Sequence, residues 1–367
     1  MPRRLMDGSE AIAEAMVAAG CRFFAGYPMT PFTEVLEHMA RLLPAVGGAC
    51  VNAESELEAV GMAWGAAATG ARAATGSVGQ GISLMQESIS EATRGLIPFV
   101  VLNMSRGQAD YFQATRGGGH GDYRTPVLAP VDITEAVELV QRCFHLADEW
   151  RNPVVFYGDY YLAHTQESVE VTRIDFPPLP PKDWSVDGTT SATGAARLVS
   201  PLALAKSADH EDTSGLAGYG AHLRQVGLRI AEMEAGIEPL AETGFLDDAE
   251  YVVVSFGTAA RYVRYVVGLL RDEGLPIGFI RPITLWPFPN EVVARAAETA
   301  KALAVYELNL GQMVDDVRLA ASGRAPVQFI GDITLDGSGF GISPDYDVDR
   351  LRDRIRAAYA ACLSEVS

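Results

Sequence analysis

Along residues 8–162 the apolar positions alternate between the period of an amphipathic helix and that of a short buried strand. Ser9–Ala19 places Ile12, Ala15, Met16 and Ala19 at helical spacing, and Gly20 follows where a helix C-terminus favours glycine. Arg22–Gly26 suits a strand. Thr30-Pro31 then opens a helix, with threonine as N-cap and proline in the first turn, and its stripe runs Val35, Leu36, Met39, Leu42 and Leu43. Ala49–Ala53 reads as extended, Ser55–Ala68 as a helix, Arg72–Gly76 as extended and Ile82–Thr93 as a helix. Pro98–Met104 is an unbroken apolar run, expected of a strand covered on both faces. Pro126–Ala129, a helix over Thr134–Glu149 and the strand Pro153–Tyr157 complete the series. This alternation predicts an α/β fold, a doubly wound and mostly parallel sheet with helices on both sides.

The pattern breaks near residue 165. Phe176-Pro-Pro-Leu-Pro-Pro181 can sustain neither a helix nor a ladder, and residues 185–219 are rich in Ser, Thr, Gly and Ala. A linker is expected, with one helix near Ala221–Ala235. Periodicity resumes at Ala249 with strands Tyr251–Ser255, Ile277–Ile280, Ala302–Tyr306 and Val327–Ile330. Between and after them lie helices Thr258–Arg271, Glu291–Ala300, Met313–Ala321 and Val348–Leu363. The expected division is therefore a first domain over 1–165, a linker over 166–248, and a smaller α/β domain over 249–367.

Composition narrows the function. A net charge of −18 over 367 residues repels phosphate backbones and anionic lipid, so a nucleic-acid partner is not expected. No run reaches the roughly 18 apolar residues of a membrane span. Met1-Pro-Arg-Arg leads into polar Asp7-Gly-Ser-Glu10, so no secretory signal is expected. Cys21, Cys50, Cys143 and Cys362 are widely spaced, which argues against an iron–sulfur cluster held wholly by this chain. Reduced core cysteines of a cytoplasmic protein are the plain reading.

Four segments carry candidate chemistry. Gly26-Tyr-Pro-Met-Thr-Pro31 lies between a strand and a helix, where open α/β sheets bind ligands, and Thr30 can cap the helix, donate to a ligand, or both. Asn52-Ala-Glu-Ser-Glu-Leu-Glu58 sets three carboxylates at a strand-to-helix junction, where acidic residues also suit the helix dipole. Glu56 differs from its neighbours because the helix it opens is apolar and rich in small residues and so must be buried, which would desolvate the carboxyl and suit it to sharing a proton. Gly76-Ser-Val-Gly-Gln-Gly81 either cradles phosphate or packs backbone against backbone, and it is no P-loop because Lys-Ser/Thr does not follow. Arg106–Arg124 is a long polar loop after a buried strand. Arg106 can grip a substrate carboxylate or pair with Asp110 or Asp122, and a structural or partner-facing role is favoured for His120 over proton transfer.

Taken in order, Gly26-Tyr-Pro-Met-Thr-Pro31, the GAAATGARAATGS run at 65–77, Ile82-Ser-Leu-Met-Gln-Glu87, Gly118-Gly-His-Gly-Asp122 and Arg281-Pro-Ile-Thr-Leu-Trp-Pro-Phe-Pro289 resemble the α subunit of 2-oxoacid:ferredoxin oxidoreductases. The 3-methyl-2-oxobutanoate and 2-oxoglutarate types are the nearest. The resemblance implies a thiamine-diphosphate pyrimidine-binding domain over 1–165 and a transketolase C-terminal-like domain over 249–367. It implies a separate β subunit carrying the diphosphate-binding domain and its Mg²⁺, and iron–sulfur clusters on partner subunits that pass electrons to ferredoxin. No metal site is expected on this chain, and a hetero-oligomer such as (αβ)2 is. By position, Glu56 matches the glutamate that bonds N1′ of the aminopyrimidine and favours the tautomer that activates C2. Thr30 and Arg106 match the residues that contact the 2-oxoacid carboxylate, and Tyr27 and Pro28 the turn against the cofactor. Two departures stand out. No glycine-rich insert follows Arg106, since Gly107 leads straight into Gln108, and Ser77-Val-Gly-Gln-Gly81 replaces the usual SxPG turn. Both lie where the substrate or coenzyme A would approach, and they leave the substrate and acyl acceptor open. A thiamine-dependent decarboxylase or carboligase without redox chemistry is the alternative.

Overall fold

The computed structural model describes residues 2–186, 216–333 and 346–366. Strands are numbered along the chain: β1 (Arg4–Asp7), β2 (Cys21–Gly26), β3 (Ala49–Asn52), β4 (Arg72–Ser77), β5 (Val100–Ser105), β6 (Val127–Leu128), β7 (Val154–Asp159), β8 (Gln166–Val169), β9 (Ala241–Gly244), β10 (Tyr251–Val254), β11 (Ile277–Pro282), β12 (Thr284–Trp286), β13 (Ala302–Val305) and β14 (Val327–Phe329). The larger sheet has seven strands in the order β12-β6-β7-β5-β4-β2-β3, parallel except where β12 meets β6. A five-stranded sheet, β14-β13-β10-β11-β9, is parallel except at β9. No helix among the described residues is long and apolar enough to cross a membrane.

Chain direction across the larger sheet reverses between β2 and β4. The connection leaving β2 leads outward to β3, whereas the one leaving β4 leads the other way to β5. Such a switch point opens a crevice at the carboxyl ends of the two strands. The turn 26–31 and the glycine-rich turn 76–81 both border it. Gly26 and Gly76 are required there by packing: a Cβ on either would lie 2.7 Å from the Phe32 ring, which fills the space between them.

One core lies on the face of the larger sheet that carries helices Gly8–Ala18, Thr33–Leu42 and Ile133–Trp150. The core on the other face is shared by both halves of the chain, with Ile82, Tyr111 and Tyr157 in the same cluster as Val252, Phe256 and Leu303. Between the halves Arg281, 5% exposed, donates two bonds to Glu135 at 2.8 and 2.9 Å and one to Glu242 at 2.7 Å.

Several local expectations need correction. Thr30 is not a helix N-cap. The helix starts at Thr33, Phe32 occupies the cap, and no side chain bonds there, because the Phe32 ring turns inward to pack against Gly26 and Gly76. The helix Glu56–Ala68 is not wholly buried, since Leu57 and Met62 stand 50% and 39% exposed in this chain. Short elements went unpredicted: the antiparallel ribbon of β1 with β8, the strands β9 and β12, and the helices Tyr111–Thr115 and Tyr160–His164. The proline-rich stretch lies against the first half of the chain. Phe176 stacks on His145, Trp184 lies under the Arg151 guanidinium, and Lys182 pairs with Asp148 at 2.6 Å.

Asp159 ends β7 and caps the helix Tyr160–His164, accepting from Leu162 N at 2.8 Å and from the Thr258 hydroxyl of the second half. Thr258 also meets the Tyr346 hydroxyl, and Tyr346 stacks on Tyr262, whose hydroxyl bonds that of Tyr161. Burial pushes the Asp159 carboxyl up from its ordinary 3.8 to about 6. The folded state therefore holds this proton more tightly than the unfolded chain does. The stability it contributes is complete below about pH 4 and is lost as pH rises through about 6. Asp159→Asn is expected to gain about 2–3 kcal/mol on wild type between those limits, measured from urea midpoints of both proteins across the range. Parallel curves would refute this.

Candidate active site

The site grows from three strand ends. After β3, Ser55 caps the helix Glu56–Ala68 through a bond from Leu57 N at 3.2 Å, so Glu56 takes the first helical position. Its side chain turns inward and is 3% exposed. Ser77, at the end of β4, donates to Glu56 Oε1 at 2.9 Å. Glu56 Oε2 has no hydrogen-bond partner among the described residues. Gly81 faces this pair, and a Cβ there would stand 2.1 Å from Ser77 Oγ and 2.3 Å from Glu56 Oε1. Glycine is what leaves the carboxyl room.

The other candidate residues gather around this carboxyl. Met29, in the turn after β2, brings its sulfur to 4.0 Å from Ser77 Oγ. The next residue, Thr30, offers its carbonyl to Arg106 Nε at 3.2 Å, so the turn and the end of β5 are joined. Tyr27 is 37% exposed, and Pro28 and Thr30 are exposed beside it at the mouth of the crevice. Arg106 forms no salt bridge among the described residues, though its charge reaches Asp110 through space, and it lines a cavity of 330 Å³ with Gln80, Ser83, Asp110 and Gln113.

The glycine-rich turn is no phosphate cradle. Cβ atoms at Gly79 and Gly81 would strike the carboxylates of Asp110 and Glu56, so its surroundings are acidic, and close packing is the reading that holds. Burial also pushes the Asp110 carboxyl upward. His120 Nε2 lies 2.8 Å from both Glu91 Oε1 and Arg94 Nη1, in the C-terminal part of the helix Gly79–Gly95 and away from Glu56 at its other end. Its loop is pinned by Gln86, whose Oε1 accepts from Gly118 N at 2.9 Å and from the Tyr123 hydroxyl at 2.8 Å. Ser77, Gly81 and Met29 lay within segments singled out by sequence, yet nothing local distinguished them from their neighbours.

Residues 14–185 match the thiamine-diphosphate-binding domain model of pyruvate flavodoxin/ferredoxin oxidoreductases, and residues 249–341 match core domain II of pyruvate:ferredoxin oxidoreductase. Ketoisovalerate oxidoreductase subunit VorB of Methanothermobacter thermautotrophicus is 36% identical over 334 residues, covering 88% of this chain and 91% of that one. This chain belongs to the 2-oxoacid:ferredoxin oxidoreductase family. The 2-oxoglutarate synthase subunit KorA of Methanothermobacter marburgensis is 35% identical over 350 residues, 89% of this chain and 93% of its own. Among solved structures, the 2-oxoglutarate:ferredoxin oxidoreductase of Magnetococcus marinus superposes with a TM-score of 0.79 at 23% identity. That match covers 97% of this chain and 65% of the solved one. A split-gene transketolase shares the fold more distantly, at a TM-score of 0.57 and 12% identity. Membership places the chain among oxidoreductase subunits with a thiamine-diphosphate-binding domain, which favours the redox reading over a decarboxylase or carboligase.

Proposed function

We propose that this chain supplies the pyrimidine half of a thiamine diphosphate site in a cytoplasmic 2-oxoacid oxidoreductase, completed by a β subunit that carries the diphosphate-binding domain and Mg²⁺. Iron–sulfur clusters on partner subunits take the electrons and deliver them to ferredoxin, in a hetero-oligomer such as (αβ)2. The buried Glu56 carboxyl carries the reading. One oxygen is held by Ser77, the other has no partner among the described residues, and the missing side chain at Gly81 keeps the approach open. That arrangement suits a ring nitrogen. Thiamine diphosphate, when bound, would supply the nucleophilic carbon that adds to the 2-oxoacid and the cationic ring that takes up the electron pair released by decarboxylation.

The protein's share is orientation and proton control. Glu56 holds a proton at the ring nitrogen N1′, with Ser77 fixing the rotamer. Tyr27 and Pro28 form the wall against the ring. Thr30 and Arg106 receive the carboxylate of the 2-oxoacid, where a guanidinium with no salt bridge among the described residues is ready to pair. Tyr27, Leu57, Met62 and Leu84, on the elements that border the crevice, are large apolar side chains left exposed in this chain, which suits a docked subunit.

Reconstitution tests the split site. The isolated chain is expected to bind thiamine diphosphate weakly and to turn over no 2-oxoacid, and co-expression with its β subunit is expected to restore both. Calorimetry showing tight binding by the lone chain would contradict the model.

A further inference from the structure

Gln108 is 1% exposed although it follows Arg106 by two residues in a polar loop. Both ends of its amide are occupied by the second half of the chain. Nε2 donates to the Phe256 carbonyl at 2.7 Å, and Oε1 accepts from Leu308 N at 2.9 Å. Its backbone is held as well, with N donating to Leu308 O at 3.3 Å and O accepting from Asn309 Nδ2 at 2.8 Å. Asn309 is fixed in turn by Glu307 Oε2 at 2.8 Å. Glu307 is fully buried and also accepts the backbone N–H groups of Gln312, Met313 and Val314 at 2.8–3.0 Å. From the same segment Gln312 reaches back, donating to Ala109 O at 2.6 Å and accepting from Phe112 N at 2.7 Å. A fully bonded buried polar network of this kind has one low-energy arrangement, so it fixes the loop's path.

We infer that Gln108 is a positioning residue for substrate recognition. By fastening the 107–112 loop to residues 256 and 307–312, it sets where the Arg106 guanidinium stands, and the second half thereby tunes carboxylate binding without touching the substrate. The inference rests on the reading of Arg106 as the carboxylate ligand. It also gives the direct Gly107-Gln108 junction a purpose: no slack separates the arginine from its clamp.

The test is Gln108→Met in the complex reconstituted with its partner subunits, since methionine keeps the volume and removes both amide bonds. The KM for the 2-oxoacid is expected to rise by about tenfold, with kcat within about threefold and thiamine diphosphate affinity unchanged. In an Arg106→Ala background, Gln108→Met is expected to add nothing. Should Gln108→Met fail to fold, Gln312→Ala removes the outer bonds alone and is expected to raise KM in the same direction. Amide hydrogen exchange over 106–112 is expected to quicken in either variant. An unchanged KM in an active complex, or an equal further loss in the Arg106→Ala background, overturns the inference. If the wild-type complex instead turns over no 2-oxoacid, the reading of Arg106 falls and this inference with it.

Discussion

Replacing Glu56 with glutamine in the assembled complex is expected to lower turnover at least about a hundredfold, the usual scale for removing a group that manages a proton in the reaction. The substitution is nearly isosteric. Glutamine Oε1 can still accept the Ser77 hydroxyl bond that now holds Glu56 Oε1 at 2.9 Å, and the space opposite Gly81 is unchanged. Folding and assembly should therefore survive, and gel filtration of the variant complex would report that. What is lost is the acid itself, because an amide cannot exchange a proton with a ring nitrogen. Steady-state reduction of ferredoxin by the 2-oxoacid is the measurement, and a rate within a few-fold of wild type would take Glu56 out of the mechanism.

Arg281→Met should be the most damaging change to stability. The guanidinium satisfies Glu135 and Glu242 together, and Glu242 also meets Arg264 at 2.9 Å. Removing the buried partner leaves two partly exposed carboxylates less compensated, so the loss falls toward the lower end of the range of about 3–5 kcal/mol seen for fully buried clusters. Chemical denaturation should show that loss, and Glu135→Gln in the same background should recover part of it because the stranded charge is then gone. A variant as stable as wild type would mean that the carboxylates reach water or other donors instead.

The sheet architecture was legible because buried parallel strands announce themselves. Pro98–Met104 and Tyr251–Ser255 are apolar runs with helices on either side, and each contains a central strand. Edge elements were not legible. β1 and β8 are short and largely polar, and their pairing depends on a separation in sequence that no local pattern encodes. Thr30-Pro31 misled for a related reason: threonine before proline satisfies the rules for a helix start, yet Phe32 must reach between Gly26 and Gly76, and that demand delays the helix to Thr33. At the candidate site, Glu56 stood out through the contrast between its charge and the apolar helix behind it. Ser77 and Gln108 did not, since their meaning comes from partners 21 and 200 residues away.

The placement of β12 has a topological consequence. Residues 284–286 add the outermost rung to a sheet whose other six strands all precede residue 160. An amino-terminal fragment lacking the second half would lose that strand from β6 and keep a bare hydrogen-bonding edge and an uncovered face of the shared core. The two halves therefore share both a sheet and a core, and the outer edge of the first is closed by the second.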